Sequence, residues 1–396
     1  MSPKGHTEAH GPLAGIVVVA VEQAVAAPFA TRQLADLGAD VIKVERTGDG
    51  DFARGYDATV RGQSSHFIWL NRGKRSITLD VKADEGRRTL GELVARADVV
   101  VQNLAPAAAR RLGIDAHTLA AEHPRLVACD VSGYGAGGPY SDRKAYDLLI
   151  QCDTGLVSIT GTPDEPAKAG ISIADIAAGM YAYTGILTAL FDRERTGRGR
   201  ALEVSMLEAL GEWMGYPELY ARYGGTSPRR AGAAHATIAP YGPVATASGH
   251  VITIGVQNER EWAALCADVL ERPDLVEDPR FRGNAARAEH RAELDEAIEG
   301  VFAGLDVTEA ERRLDAAGIA TVRQRTLEEF ARHPQLQARD RWMTVGTPQG
   351  DIEMLRPPVT AAWPSPPARV PAVGEHDDEV RAWLRTTDAS READHR

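Results

Sequence analysis

The chain has 396 residues (42.6 kDa), with 45 basic against 56 acidic side chains and a net charge of −11 at pH 7, and it is 43% hydrophobic and 26% charged. This balance excludes a wholly disordered chain, and at roughly 150 residues per domain it gives two to three domains. The acidic excess argues against nucleic acid or an anionic membrane as a partner, so any anionic ligand needs a local basic pocket.

Leu13 to Val21 is a continuous aliphatic run that predicts a buried parallel strand, followed by a helix over Pro28 to Leu37. Strand character returns at Asp40 to Val44, Ser76 to Val81, Val99 to Val101 and Leu126 to Val131, with helices predicted at Asp84 to Arg96 and His117 to Glu122. Strands alternating with helices imply right-handed βαβ units and a mostly parallel sheet, which binds ligands at the carboxyl ends of its strands. Ile176 to Phe191 predicts a long apolar helix, shorter than the ~20 residues of a membrane span, closed by the basic, glycine-rich DRERTGRGR. Ala201 to Tyr223 predicts a short strand and another helix, and GGTSPRRAGAA then breaks the pattern. A strand at Val251 to Gly255 and helices near Glu259 to Leu270, Arg287 to Phe302 and Thr308 to Ala317 suggest a smaller domain. Strands follow at Ile319 to Arg325 and beyond Trp342, while PSPPARVP and TTDASREADHR are expected as surface tails.

Three cysteines, Cys129, Cys152 and Cys266, lack C-x-x-C spacing, which supports neither a disulfide framework nor a zinc site. With the polar start MSPKGHTEAH, this fits a cytoplasmic protein. The turn after the first strand, EQAVAAPFA, has no G-x-G-x-x-G, which argues against a nicotinamide dinucleotide. Its small residues still permit close backbone approach to a ligand at a helix start.

In order and spacing, APFATRQLADLGADVIKVERTGDGDFAR, NRGKRSITLDVK, DVVVQNLAPAAARRLGID and VSGYGAGGPY resemble the family III CoA-transferases. This CaiB/BaiF type contains formyl-CoA and carnitine CoA-transferases and, as a side branch, α-methylacyl-CoA racemases. The similarity continues through AYDLLIQCDTGLVSITG, ISIADIAAGMYAYTGILTALFDRERTGRGR, APYGPVATASGHVITIGVQNEREW and GEHDDEV, and so spans nearly the whole chain. It implies an α/β fold with a Rossmann-like large domain, a mostly parallel sheet, a smaller α+β domain and an interlocked homodimer. Residues 1–222 would form the first part of the large CoA-binding domain, 223–330 the small domain with linkers, and 331–396 the return to the large domain and the tail.

Two readings of Asp175 arise from the residues alone: an N-cap before an apolar helix, worth ~1 kcal/mol, or a reactive carboxylate. The resemblance assigns it the role of transferase nucleophile. The same resemblance places CoA contacts at Arg46, Lys82 and Arg111, with Leu79 near the adenine and Asn103 in the QNLAP segment. Ala24, Val25, Ala26 and Tyr134 would line the thioester end, with Val25 standing where some transferases have Gln. Coenzyme A enters as substrate, with no tightly bound cofactor and no metal. Glu45 is read as ending its strand or fixing Arg46, and His235 either faces the site or lies in an exposed loop.

Two alternatives are a racemase and a non-catalytic acyl-CoA-binding protein. The racemase branch carries His where this chain has Tyr146, and a tyrosine with pKa near ~10 is a poor base at neutral pH. VQNLAPAAARRLGID and HFIWLNRGKRS resemble the branch acting on branched C5 dicarboxyl CoA thioesters, although Ala107 replaces the usual Gly. A small dicarboxylic acid such as mesaconate, itaconate, methylmalate or succinate is therefore expected. Arg72, Arg229 and Arg230 are candidates for its second carboxylate.

Overall fold

The computed structural model describes residues 11–363 and 368–386. The start at 1–10, part of PSPPARVP and nearly all of TTDASREADHR therefore lie outside the described residues. The chain divides into two compact units, the first holding residues up to Thr154, Gly170–Met214 and those from Leu336 onward, the second holding Gly155–Ala169 and Gly215–Gln335.

The first unit starts with β1 (Val17–Val21), α1 (Ala26–Asp36), β2 (Asp40–Glu45), α2 (Ser65–Asn71), β3 (Lys74–Thr78) and α3 (Asp84–Val94). It continues with β4 (Val99–Gln102), α4 (Pro106–Leu112), α5 (Ala116–Glu122), β5 (Val127–Ser132) and α6 (Asp147–Asp153). The short helix α7 (Leu156–Ile159) belongs to the second unit, and α8 (Ile173–Thr196), β6 (Ala201–Ser205) and α9 (Met206–Trp213) return to the first. Six parallel strands run in the order β3-β2-β1-β4-β5-β6. Their aliphatic runs are buried on both faces, as covered parallel sheets require. The order reverses between β1 and β4, which opens a crevice beyond their carboxyl ends.

Element ends differ from the sequence expectation for local reasons. β1 begins at Val17 rather than Leu13, because residues 11–15 form a turn in which the Leu13 N–H donates to Leu37 O at 3.0 Å. α1 begins at Ala26, two residues before Pro28, whose missing N–H costs nothing in a first turn. α8 runs for 24 residues and stops at Gly197, which takes the left-handed conformation at φ 70°. By length and composition α8 could cross a membrane, yet half of its apolar window is buried inside the protein, where it packs on α1, β5, β6 and α9.

The direction of α8 fixes where its start lies. Near its end, Arg193 Nη1 donates to Asp98 Oδ1 at 3.1 Å and to Arg125 O at 3.4 Å, both just before β4 and β5. The helix therefore runs against the strands, and its first turn stands at their carboxyl ends. Gly179 brings it against α1, since a Cβ there would meet Ala26 O at 2.7 Å and Phe29 Cδ1 at 3.0 Å.

The chain returns to this unit through the antiparallel pair β10 (Trp342–Val345) and β11 (Ile352–Leu355) and the helix Asp377–Arg385. That helix is locked to β3: Asp377 accepts from the Thr78 N–H and hydroxyl, both at 2.7 Å.

The second unit contains α10 (Gly215–Gly224) and the antiparallel sheet β7 (Tyr241–Ala245), β8 (Val251–Gly255) and β9 (Ala320–Arg323). Trp262, Phe281, Leu294 and Phe302 are central to its core. Segment 155–169, grouped with the large domain on sequence, is tied into this unit by Arg230, which donates to the carbonyls of Ser158, Thr162 and Pro163 at 3.3, 2.8 and 2.7 Å.

Candidate active site

Asp175 is the third residue of α8, so it is not the N-cap that one sequence reading made it. The cap position belongs to Ser172, whose side chain makes no capping bond. Asp147, at the start of α6, supplies the missing acceptor from a distant part of the chain. Its Oδ1 accepts the N–H groups of Ala174 at 2.8 Å and of Asp175 at 3.4 Å, while Oδ2 accepts from Gln151 Nε2 at 2.5 Å. One carboxylate thus satisfies part of a helix start that would otherwise lack acceptors.

Among the described residues the Asp175 carboxylate takes part in no hydrogen bond or ion pair. Burial first, and the nearby negative charge of Asp147 second, push its pKa up to about 7. A carboxylate without hydrogen bonds, disfavoured as an anion, is a better nucleophile than one held in an ion pair.

Gly179, one helical turn further on, faces Ala26, so Asp175 on the same helix face stands beside the turn that joins β1 to α1. That turn is built to hold an unusual backbone. Ala24 has φ 60°, a left-handed conformation costly for a residue with a Cβ. Asn103, just beyond β4, grips its neighbour from both sides, accepting from the Gln23 N–H at 2.9 Å and donating to Gln23 O at 2.8 Å. The Ala24 N–H goes to Asp51 Oδ1 at 3.2 Å.

Beneath the turn lies a fully buried ionic cluster. Glu22 Oε1 accepts from Lys74 Nζ at 2.6 Å and from Lys43 Nζ at 3.4 Å, Oε2 accepts from the Thr31 hydroxyl at 2.6 Å, and Lys43 also pairs with Asp51 at 2.9 Å. Burial works against ionised Glu22, but the two lysines outweigh it and its pKa is lowered.

Ala24, Val25 and Ala26 follow β1, Arg46 follows β2, Leu79 and Lys82 follow β3, Asn103 follows β4 and Tyr134 follows β5. All therefore stand at the carboxyl edge of the sheet, and Arg111 lies on α4 after β4. Arg46, Lys82 and Arg111 are exposed; Arg46 Nε donates to Gly50 O at 2.6 Å, and the charged groups of Lys82 and Arg111 are unpaired among the described residues. Leu79 is 3% exposed and its side chain packs in the core, with its backbone at the edge. Asn103 spends its amide on the turn.

Four further readings change. Glu45 pairs with Arg54 at 2.7 Å rather than fixing Arg46; burial opposes ionisation, but Arg54 holds the carboxyl at about 2. Arg72 is buried in an ion pair with Asp36 at 2.8 Å, and Arg230 is spent on carbonyls, so neither is free for a substrate carboxylate. Arg229 remains exposed, with one bond to Ala288 O at 3.2 Å. His235 is half-buried rather than exposed, stacked on Tyr241, and its Nδ1 accepts from the Thr237 and Ile238 N–H groups at 3.2 and 3.1 Å.

Three further candidate residues carry no local signal in the sequence. Asp147 is one, since its link to the α8 start is made across 27 residues. Tyr56 packs edge-on to His66 and beside Phe52, and burial, then the charges of Asp51 and Asp175, push its hydroxyl up to about 12. Lys144 shares a cavity of about 420 Å³ with Tyr134, Arg143, Leu149, Cys152 and Asp153. Gly133 sets this segment's approach, since a Cβ there would lie 2.1 Å from Ala145 Cβ, two residues before Asp147.

Residues 13–377 match the family model described as CoA-transferase family III. A succinate–glutarate CoA-transferase of Agrobacterium fabrum is 33% identical over 388 residues, covering 95% of this chain and 96% of that protein. A succinyl-CoA:mesaconate CoA-transferase of Haloarcula marismortui is 33% identical over 386 residues, covering 93% and 96%. The crystal structure of a CaiB/BaiF family protein from Brucella suis superimposes with a TM-score of 0.82 at 34% identity, covering 95% of this chain and 100% of that one. A family pattern across nearly the full chain, relatives of matching length and a shared fold make this protein a member of CoA-transferase family III, and an enzyme that uses CoA thioesters as substrates.

Proposed function

We propose that the enzyme moves CoA between a thioester and a small dicarboxylic acid, with Asp175 as the covalent nucleophile. The observation that carries this reading is the Asp175 carboxylate, free of hydrogen bonds and ion pairs among the described residues, at the carboxyl edge of the sheet beside the Ala24–Ala26 turn.

Asp175 attacks the thioester carbonyl, the C–S bond breaks, and a mixed anhydride forms with release of CoA thiolate. The thiolate attacks the aspartyl carbonyl, freeing the donor acid and leaving an aspartyl-CoA thioester. The acceptor carboxylate attacks that thioester and expels the thiolate again. Thiolate attack on the acceptor carbonyl then yields the new acyl-CoA and restores Asp175. Thioester energy is retained throughout, so no ATP is needed. The N–H groups at the start of α1 and in the Gly133–Gly138 loop are the donors for the developing oxyanions. Arg46, Lys82 and Arg111 are the cations for the CoA phosphates, joined by Lys144.

Relatives named for glutarate and mesaconate support a small dicarboxylate as acceptor. Racemisation is disfavoured by Tyr146, which is 64% exposed and has no histidine in its place. A homodimer is supported by apolar surface along α8 and α9, where Phe191 is 66% and Trp213 45% exposed. CoA thioesters screened against mono- and dicarboxylic acids test the assignment. Transfer to C4 or C5 dicarboxylates is expected, and a preference for long-chain or aromatic monocarboxylates rejects the substrate while leaving Asp175 in place.

Asp147→Asn separates two effects of that residue. The amide oxygen still accepts the first-turn N–H groups, but the negative charge that helps raise Asp175 is gone. The acid limb of single-turnover acylation, which rises with pH through about 7 in the wild type, is expected to move to lower pH. An unmoved limb would show that burial alone sets it. Asp147→Ala also loses the cap, at ~1 kcal/mol of stability.

A further inference from the structure

We infer that Asp51, held by Lys43, is a positioning residue that acts on Asp175 through the backbone of the Ala24–Ala26 turn; this rests on the nucleophile reading above. Asp51 is 5% exposed and both its oxygens are committed. Oδ2 pairs with Lys43 Nζ at 2.9 Å, and Oδ1 accepts the N–H groups of Ala53 at 2.9 Å and Ala24 at 3.2 Å. Its own N–H is tied to Glu45 Oε2 at 2.8 Å, so the carboxylate cannot swing away.

The grip falls on the residue that most needs it. Ala24 is one of four non-glycine residues with positive φ among the described residues, and without a partner for its N–H it would relax toward negative φ. Two residues on, Ala26 O is the atom against which Gly179 of α8 closes, and Asp175 lies one turn before Gly179. The chain of contact is therefore Lys43 to Asp51, to the Ala24 N–H, to the Ala26 carbonyl, to the helix that carries the nucleophile. The Tyr56 hydroxyl, five residues after Asp51, feels the charges of both Asp51 and Asp175.

Asp51→Asn tests this, because one amide oxygen must then serve the three donors Lys43, Ala53 and Ala24. The strongest donor is the buried ammonium, which leaves Ala24 free to relax. Single-turnover kcat is expected to fall by about 100-fold with KM for acyl-CoA within about threefold. Amide exchange over residues 23–27, measured by mass spectrometry without substrate, should quicken by about tenfold or more. Adding Ala24→Gly, which adopts positive φ without strain, should recover about tenfold of the lost kcat. A merely structural Asp51 would lower the melting temperature without that rescue.

Ala24→Pro is the second variant, since it removes the N–H and forbids positive φ without touching a buried charge. It is expected to lose about 100-fold in kcat. Unchanged exchange in Asp51→Asn, or near-normal kcat in Ala24→Pro, overturns the proposal. A wild-type enzyme that transfers no CoA defeats the preceding functional reading instead, and the exchange experiment still decides whether Asp51 holds the turn.

Discussion

Asp175→Asn is expected to reduce CoA transfer by about 10⁴-fold or more, because removing a covalent nucleophile removes the pathway rather than one of its stabilising contacts. The same substitution is expected to make the protein more stable at pH 8. Between pH 4 and pH 7 the folded state keeps the Asp175 proton, held up to about 7 by burial and by Asp147, whereas the unfolded chain has already lost it. Stability therefore falls as pH rises through that window, and above it the wild type carries the full penalty. Holding that proton up to about 7 corresponds to ~4 kcal/mol, and screening at a partly exposed site reduces this to ~1–2 kcal/mol. Denaturant melts of both proteins at pH 4 and pH 8 measure it: the difference should be full at pH 8 and all but disappear at pH 4. Equal stability at both pH values would show that the carboxylate is not disfavoured as an anion.

Glu22→Gln should have the largest effect on folding. Glu22 is fully buried between Lys43 and Lys74, and its neutral replacement leaves two ammonium groups sharing Asp51 and a few neutral acceptors. Breaking a buried ionic group by removing one member typically costs 3–5 kcal/mol, so a loss of ~4 kcal/mol is expected. Adding Lys74→Met, which removes the stranded charge and packs a similar volume, should recover about half of that loss. A single variant less than about 1 kcal/mol below wild type would mean that water reaches the cluster.

How much of this was legible in the sequence depends on whether the signal was local. The strands were, because runs such as VVVAV and Val99–Val101 have no polar face to offer solvent, and their alternation with helices already implied a parallel sheet. That Asp175 belongs to the start of an apolar helix was also plain, although it lies inside the first turn rather than before it. Its surroundings were not. The capping acceptor Asp147 lies 28 residues earlier, whereas the local pattern pointed to Asp175 itself as the cap, which the helix places in its first turn. The Glu22–Lys74 pair spans 52 residues, and nothing near Lys43 marks a charge inside a strand as paired rather than solvated. Nor is it local that Leu79, one step beyond a strand, turns its side chain into the core. Arg72 and Arg230 looked like free cations because their acceptors, Asp36 and the carbonyls of 158–163, are supplied by packing rather than by neighbours in sequence.

The central claim is that Asp175 becomes covalently acylated and then carries CoA. Incubating the enzyme with succinyl-CoA, quenching with hydroxylamine or borohydride and mapping the peptides by mass spectrometry tests it most directly. The account predicts a hydroxamate, or the reduced alcohol, on Asp175 alone, formed only when acyl-CoA is present and absent from Asp175→Asn. Modification of another side chain, or undiminished CoA transfer with Asp175 unmodified, would contradict it.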